Sequence, residues 1–239
     1  MNILAIGNSF SQDATRYLYD LAKAAGKDLT VVNLYIGGCS LSRHYRNMLS
    51  GERAYQLEYN GHRTGFMVSL SEALLNRDWD IVTVQQASHY STNYDTYQPY
   101  LNELAAYIRR CSPKARLYVH ETWAYEQDSA RLNTMMGYQD FRDMYRDLHA
   151  AYEQAAKAAN ADGVIPCGTL LMTLAHQGYT VHRDTFHASY GLGRYALGLM
   201  WLRVLTDANV NGLALPAYDE PIDAEAAAIV RQTIMQLLP

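Results

Sequence analysis

The chain opens on Asn2-Ile3-Leu4-Ala5-Ile6 and breaks at once into Gly7-Asn8-Ser9-Phe10-Ser11. An apolar run of this length, ended by a glycine, fits a strand buried on both faces. Beyond it Ala14, Tyr17, Leu18, Leu21, Ala22 and Ala25 fall on one helical stripe that stops at Gly26. A second apolar run at 29–36 completes a β-α-β unit. Ser9 therefore sits on the first strand-to-helix turn.

Working outward, apolar runs of strand length recur at 80–85, 117–121 and 163–166. They alternate with segments of helical period at 96–110, 138–159, 190–206 and 223–238. This alternation predicts an α/β fold in which a parallel sheet is covered by helices on both faces. Ser69-Leu70-Ser71-Glu72 has the pattern of a capping box opening a short helix. Residues 55–59, Asn60-Gly61 and 62–68 read as a β-hairpin with a primed turn, expected as an excursion near the site rather than part of the central sheet.

With 239 residues, 49% of them hydrophobic, the chain is long enough for one sizeable core, and a single domain spanning 1–239 is expected. A net charge of -4, with the 20 basic residues dispersed, leaves no footprint for nucleic acid. Cys39, Cys111 and Cys167 are odd in number and far apart, which suits reduced thiols rather than a disulfide framework. No run approaches the roughly 20 apolar residues of a membrane span, and no signal-peptide pattern precedes the first strand. The expectation is a cytoplasmic protein with no membrane partner, or a secreted one if a leader has been removed. Nothing in the sequence specifies an oligomeric state.

Ligand sites in open parallel sheets lie beyond the carboxyl ends of the strands, where the turns carrying Ser9, Gly38 and Gln85 all fall. Near the other end stands Arg183-Asp184-Thr185-Phe186-His187. A serine hydroxyl is a poor nucleophile until a base takes its proton, and imidazole, with an ordinary pKa of about 6.5, can do so near neutrality. His187 is the candidate base. Asp184, three residues earlier, can reach its Nδ1 proton and fix the tautomer. An oxyanion would need donors: the backbone N–H groups of Ser9 and Gly38 and the side-chain amide of Gln85 are candidates.

These residues carry a resemblance to the SGNH hydrolases, flavodoxin-like esterases and lipases. Their first block, usually Gly-Asp-Ser, is matched by Gly7-Asn8-Ser9, their glycine block by Gly37-Gly38, and their Asp-x-x-His block by Asp184-Thr185-Phe186-His187. The resemblance implies a three-layer α/β/α sandwich around a five-stranded parallel sheet. It also implies a serine esterase without metal or other cofactor, with Ser9 as nucleophile, Asp184 and His187 completing a triad, and the oxyanion held by Ser9, Gly38 and a third-block amide. Two departures stand out. Asn8 replaces aspartate, and Gln85-Gln86-Ala87-Ser88 replaces Gly-x-Asn-Asp. Carbohydrate-active members often use a glutamine as that amide, so Gln85 tilts the expected substrate toward an acetyl or other short acyl ester on a small molecule or oligosaccharide. The choice between Gln85 and Gln86 stays open.

Other readings follow from the same residues. Ser9 could simply cap its helix, although Ser11 and Asp13 stand ready for that role. Asp13 could hydrogen-bond within the serine turn or be an ordinary first-turn acid. His182-x-Asp184-x-x-His187 has the residue types of a zinc site, but that leaves Ser9 and Gly38 without a role. Trp123 and Tyr125, beyond the fourth strand, are expected to touch substrate with Gln86, whereas Tyr90, Tyr94, Tyr97 and Tyr100 suit packing at the boundary of core and water. No Gly-x-Gly-x-x-Gly follows the first strand and no Gly-x-Ser-x-Gly elbow occurs, against a dinucleotide fold or an α/β-hydrolase. The altered third block motivates one alternative, a non-catalytic sugar-binding module on the same fold; a lipid or thioester hydrolase is a further one.

Overall fold

The computed structural model describes residues 1–215 and 217–238. Its strands are β1 (Asn2–Gly7), β2 (Thr30–Tyr35), β3 (Tyr55–Tyr59), β4 (His62–Val68), β5 (Ile81–Val84), β6 (Arg116–His120) and β7 (Gly163–Ile165). They form one sheet in the order β4-β3-β2-β1-β5-β6-β7. Strand β1 lies at its centre, with Ile3 between Val31 and Ile81 and Leu4 between Val32 and Val82. Strands β2, β1, β5, β6 and β7 are parallel, the expected five.

The hairpin differs from expectation. Strand β3 pairs antiparallel with β2, and β4 with β3, so the two strands extend the central sheet to seven rather than leaving it. The Asn60-Gly61 turn, with φ of 49° and 80°, is clamped to the start of β2: Asn60 N–H donates to Val31 O at 2.8 Å and Val31 N–H to Asn60 Oδ1 at 3.0 Å. A hairpin whose first strand finds a free edge satisfies its backbone there at lower cost than it could alone.

The helices are α1 (Ser9–Thr15), α2 (Leu18–Ala24), α3 (Leu41–Ser50), α4 (Leu70–Leu75), α5 (Tyr100–Cys111), α6 (Phe141–Ala158), α7 (Cys167–His176), α8 (Leu192–Thr206) and α9 (Ala224–Leu237). Helices α1, α2, α7 and α9 gather around α8, while α3, α4 and α5 pack on one another, giving the two outer layers of an α/β/α sandwich. Helix α8 is apolar nearly all round and is correspondingly buried from Gly193 to Leu202. Asp140 and Asp223 cap α6 and α9 through their carboxylates, and Ser69 and Glu72 form the predicted capping box of α4. The stripe after β1 is two short helices, α1 and α2, and α5 starts only after Pro99, which cannot donate within a helix.

Candidate active site

The turn from β1 into α1 is built so that Ser9 is free. A Cβ on Gly7 would lie 2.4 Å from Ser11 Oγ and 2.9 Å from Gln85 Oε1, so only glycine lets the strand end pass this close to α1 and Gln85. Asn8, not Ser9, Ser11 or Asp13, is the helix cap: its Oδ1 accepts from Phe10 N–H at 2.9 Å. The Ser9 hydroxyl thus has no capping duty.

The last block comes from the loop before α8. Asp184 Oδ1 accepts from the His187 backbone N–H at 2.9 Å, and Oδ2 lies 2.7 Å from His187 Nδ1. Across 178 residues of sequence, His187 Nε2 lies 2.8 Å from Ser9 Oγ. With Nδ1–H donated to the carboxylate, Nε2 carries the lone pair that accepts the serine proton. Burial pushes the Asp184 carboxyl upward, but the side-chain and backbone hydrogen bonds from His187 and the charges of His187 and Arg183 hold it below its ordinary range. Between them Thr185 sits at φ 73°, a left-handed conformation rare for a branched residue. The loop is braced on both sides: Glu126 N–H donates to Thr185 O at 2.8 Å, Trp123 Nε1–H to Phe186 O at 2.8 Å, and Arg183 N–H to His187 O at 3.0 Å.

The third block does not act as predicted. Gln85 is buried; its Nε2 donates to Asn8 Oδ1 at 2.8 Å and its Oε1 lies 2.8 Å from His120 Nδ1. Asn8 Nδ2 in turn donates to Cys39 O at 3.0 Å. Since Asn8 Oδ1 is the acceptor, Gln85 must present its NH2 there and its oxygen to His120, which makes Nδ1 the protonated nitrogen of that imidazole. Burial holds the His120 pKa down to about 3, so the ring is neutral. Gln85 thereby ties the serine turn to His120 at the end of β6, Asn8 ties it to the glycine turn, and Gln85 does not line the cavity at Ser9.

Two further expectations change. Gln86 Oε1 accepts from Leu41 and Ala87 N–H, each at 2.9 Å, and Nε2 donates to Thr96 O at 3.0 Å, so this buried side chain pins α3 to the segment before α5 rather than meeting substrate. Trp123 is fully buried, stacked on Phe10 with ring centroids 4.1 Å apart, and supports the histidine loop from beneath. Tyr125 does line the cavity, its hydroxyl 2.9 Å from Ser88 Oγ. His182 Nε2 lies 3.1 Å from Ala124 O, outside the Ser9 cavity. Asp13 is neither a turn partner nor a solvated acid: it is buried in α1 between Arg183 and Arg194.

An open cavity of about 510 Å³ covers Ser9 and His187. Ser9 and Gly38 both line it, and their backbone N–H groups have no acceptor among the described residues. Gly38 reaches this position through φ 61°, which glycine adopts without strain. Sequence reasoning missed the arginines of the wall, Arg63, Arg131, Arg183 and Arg194, together with Ser88, His89 and Phe186. Only Arg183, adjoining Asp184, carried a positional signal; Arg63 and Arg131 come from the hairpin and from a single turn of π-helix at Arg131–Met135.

Comparison with known proteins places the fold. No functionally curated protein matches the chain in sequence. A protein from Slackia heliotrinireducens, provisionally classed as an SGNH hydrolase, has a TM-score of 0.61 at 21% identity over 86% of this chain and 98% of its own. Axe2, an acetylxylan esterase from Geobacillus stearothermophilus, has a TM-score of 0.58 at 15% identity over 86% of this chain and 94% of its own. At these identities the fold is what is shared, and it is the SGNH-type fold. A DUF4886 family protein from Bacteroides uniformis ATCC 8492 is 32% identical, with a TM-score of 0.90 over 100% of this chain and 94% of its own. The family described as "Domain of unknown function (DUF4886)" matches residues 2–235, and the chain belongs to that family.

Proposed function

We propose that the protein is a serine esterase that removes a short acyl group, acetyl above all, from a carbohydrate. The observation that carries the reading is the unbroken relay of Ser9 Oγ, His187 and Asp184 at 2.8 and 2.7 Å, with Ser9 and His187 lining an open cavity. Ser9 would attack the ester carbonyl as its proton passes to His187 Nε2, leaving Asp184 to stabilise the imidazolium. The developing oxyanion would be met by the N–H groups of Ser9 and Gly38. His187 then protonates the departing alcohol oxygen, and water, deprotonated by the same imidazole, releases the acid and restores the serine.

The polar cavity wall and the fold shared with an acetylxylan esterase support a sugar ester over a long acyl chain. Gln85, occupied by Asn8 and His120, would act as a positioning residue, leaving two backbone donors. That reduction is also the observation favouring the second reading, a sugar-binding module that has kept the fold without the chemistry. The test is turnover of p-nitrophenyl acetate: Ser9→Ala should lower kcat by about 10⁴-fold or more with the thermal midpoint unchanged. Wild-type rates at the buffer background would remove the esterase reading and favour the module.

A further inference from the structure

The cavity wall carries cationic side chains and no anionic one among its described residues. Among its described lining residues are four arginines and no aspartate or glutamate. Two of the four are neutralised from behind: Arg183 pairs with Asp13 at 2.9 Å, and Arg194 with Asp13 at 2.8 Å and Asp219 at 2.6 Å. Arg63, on the hairpin side, has only a loose approach of 3.7 Å to Glu58. Arg131 forms no ion pair among the described residues, and its one side-chain polar neighbour is Met135 Sδ at 4.0 Å. Its Cζ lies 3.8 Å from the centre of the Phe186 ring, which is itself 3.7 Å from the His187 imidazole. One aromatic ring therefore separates an unpaired guanidinium from the candidate base. The ring supports the cation through its quadrupole and leaves the N–H fork to hydrogen-bond elsewhere. Burial and the Arg131 charge both hold His89, on the same wall, below its ordinary pKa.

From this wall we infer a substrate class, resting on the esterase reading above: the cavity takes an ester that also carries a carboxylate, and Arg131 is the group that binds it. A planar fork without a protein partner is matched by a planar carboxylate in bidentate contact. The hydroxyls of a neutral sugar can also accept from the fork, but they bring neither the opposite charge nor the bidentate geometry that make the carboxylate contact the stronger one. Arg63, across the cavity, adds to the same field without defining a contact. The carboxylate could stand on the alcohol side, as in an acetylated uronic acid, or on the acyl side, as in a half-ester of a dicarboxylic acid.

The experiment compares matched pairs. Mono-O-acetylated methyl glucuronoside is set against the equivalent glucoside, and p-nitrophenyl monoglutarate against p-nitrophenyl acetate, measuring kcat/KM in wild type, Arg131→Gln and Arg131→Lys. One charged member should be preferred over its neutral partner, and the pair that shows it identifies the side carrying the carboxylate. Arg131→Gln should reduce that preference by about tenfold or more, as loss of a charge-assisted contact implies. Arg131→Lys should restore part of it, and rising salt should shrink it. Equal kcat/KM for charged and neutral members, or a preference unchanged in Arg131→Gln, overturns the inference. Calorimetric binding of both matched pairs to Ser9→Ala separates this outcome from failure of the esterase reading. Arg131-dependent selection of either charged member without wild-type turnover would leave the anion site standing and the hydrolase fallen. Turnover without selection would do the reverse, and neither turnover nor selection would remove both.

Discussion

At the scale of single residues, the difference between Asn8 and the aspartate usual in the resembling first block is one amide group. Asn8 uses both ends of its side chain: the oxygen accepts from Phe10 and Gln85, and the nitrogen donates to Cys39 O at 3.0 Å. An aspartate would set a carboxylate oxygen against that carbonyl and could not donate. Asn8→Asp should therefore cost about 1–3 kcal/mol, read as a lowered denaturation midpoint, because a buried acceptor loses its donor. Activity should fall beyond the loss of fold, since Cys39 follows Gly38. Gly7-Asn8-Ser9 and Asp184-x-x-His187 were legible in sequence because each acts within one turn of chain. The duty of Gln85 was not, because its partners lie 77 and 35 residues away and an amide at a strand end can turn either of its faces to either side. Trp123 misled for a related reason: a position beyond a strand end does not say whether the ring faces the cavity or the protein beneath it.

At the scale of elements, the parallel strands were legible because full burial on two faces demands uninterrupted apolar runs. The hairpin was legible as a hairpin but not in its place, since its turn chemistry is local and its edge partner, β2, is not. Two helices escaped notice. Helix α3 buries only Leu41, His44 and Asn47, so polar residues hide its period; α7 is apolar on most sides and shows little period at all. Helix α6 reaches β6 and α7 through a buried carboxylate: His149 Nδ1 lies 2.6 Å from Glu121 Oε2, and Thr169 N–H donates to Glu121 Oε1 at 2.8 Å. The bond to Glu121 raises the His149 pKa against the opposing effect of burial. A group whose pKa is raised by folding stabilises the protein fully below its unfolded value, near 6.5, and loses that contribution as pH climbs through the folded value. Stability measured by urea unfolding should thus decline across that window, and His149→Gln should flatten the slope. A slope unchanged in the variant would assign the pH dependence to other groups.

At the scale of the whole molecule, the site depends on bringing the beginning and the end of the chain together. Asp13 in α1 binds Arg183 and Arg194, from just before the last block and from α8, and Arg194 and Arg16 share Asp219 at 2.6 Å each. This cluster, buried at Asp13 and Arg194 and exposed at Asp219, joins segments as much as 203 residues apart beside the cavity of Ser9 and His187. None of its pairings could be read from sequence, where Asp13 has the appearance of an ordinary first-turn acid. Its consequence is the 2.8 Å approach of Ser9 Oγ to His187 Nε2, on which the proposed chemistry rests. The most direct measurement is the mass of the intact protein after exposure to a fluorophosphonate, with the adduct located by peptide mapping. A single adduct on Ser9, lost in His187→Ala, is the predicted result. An unlabelled wild-type protein, or an adduct that persists without His187, would contradict the account.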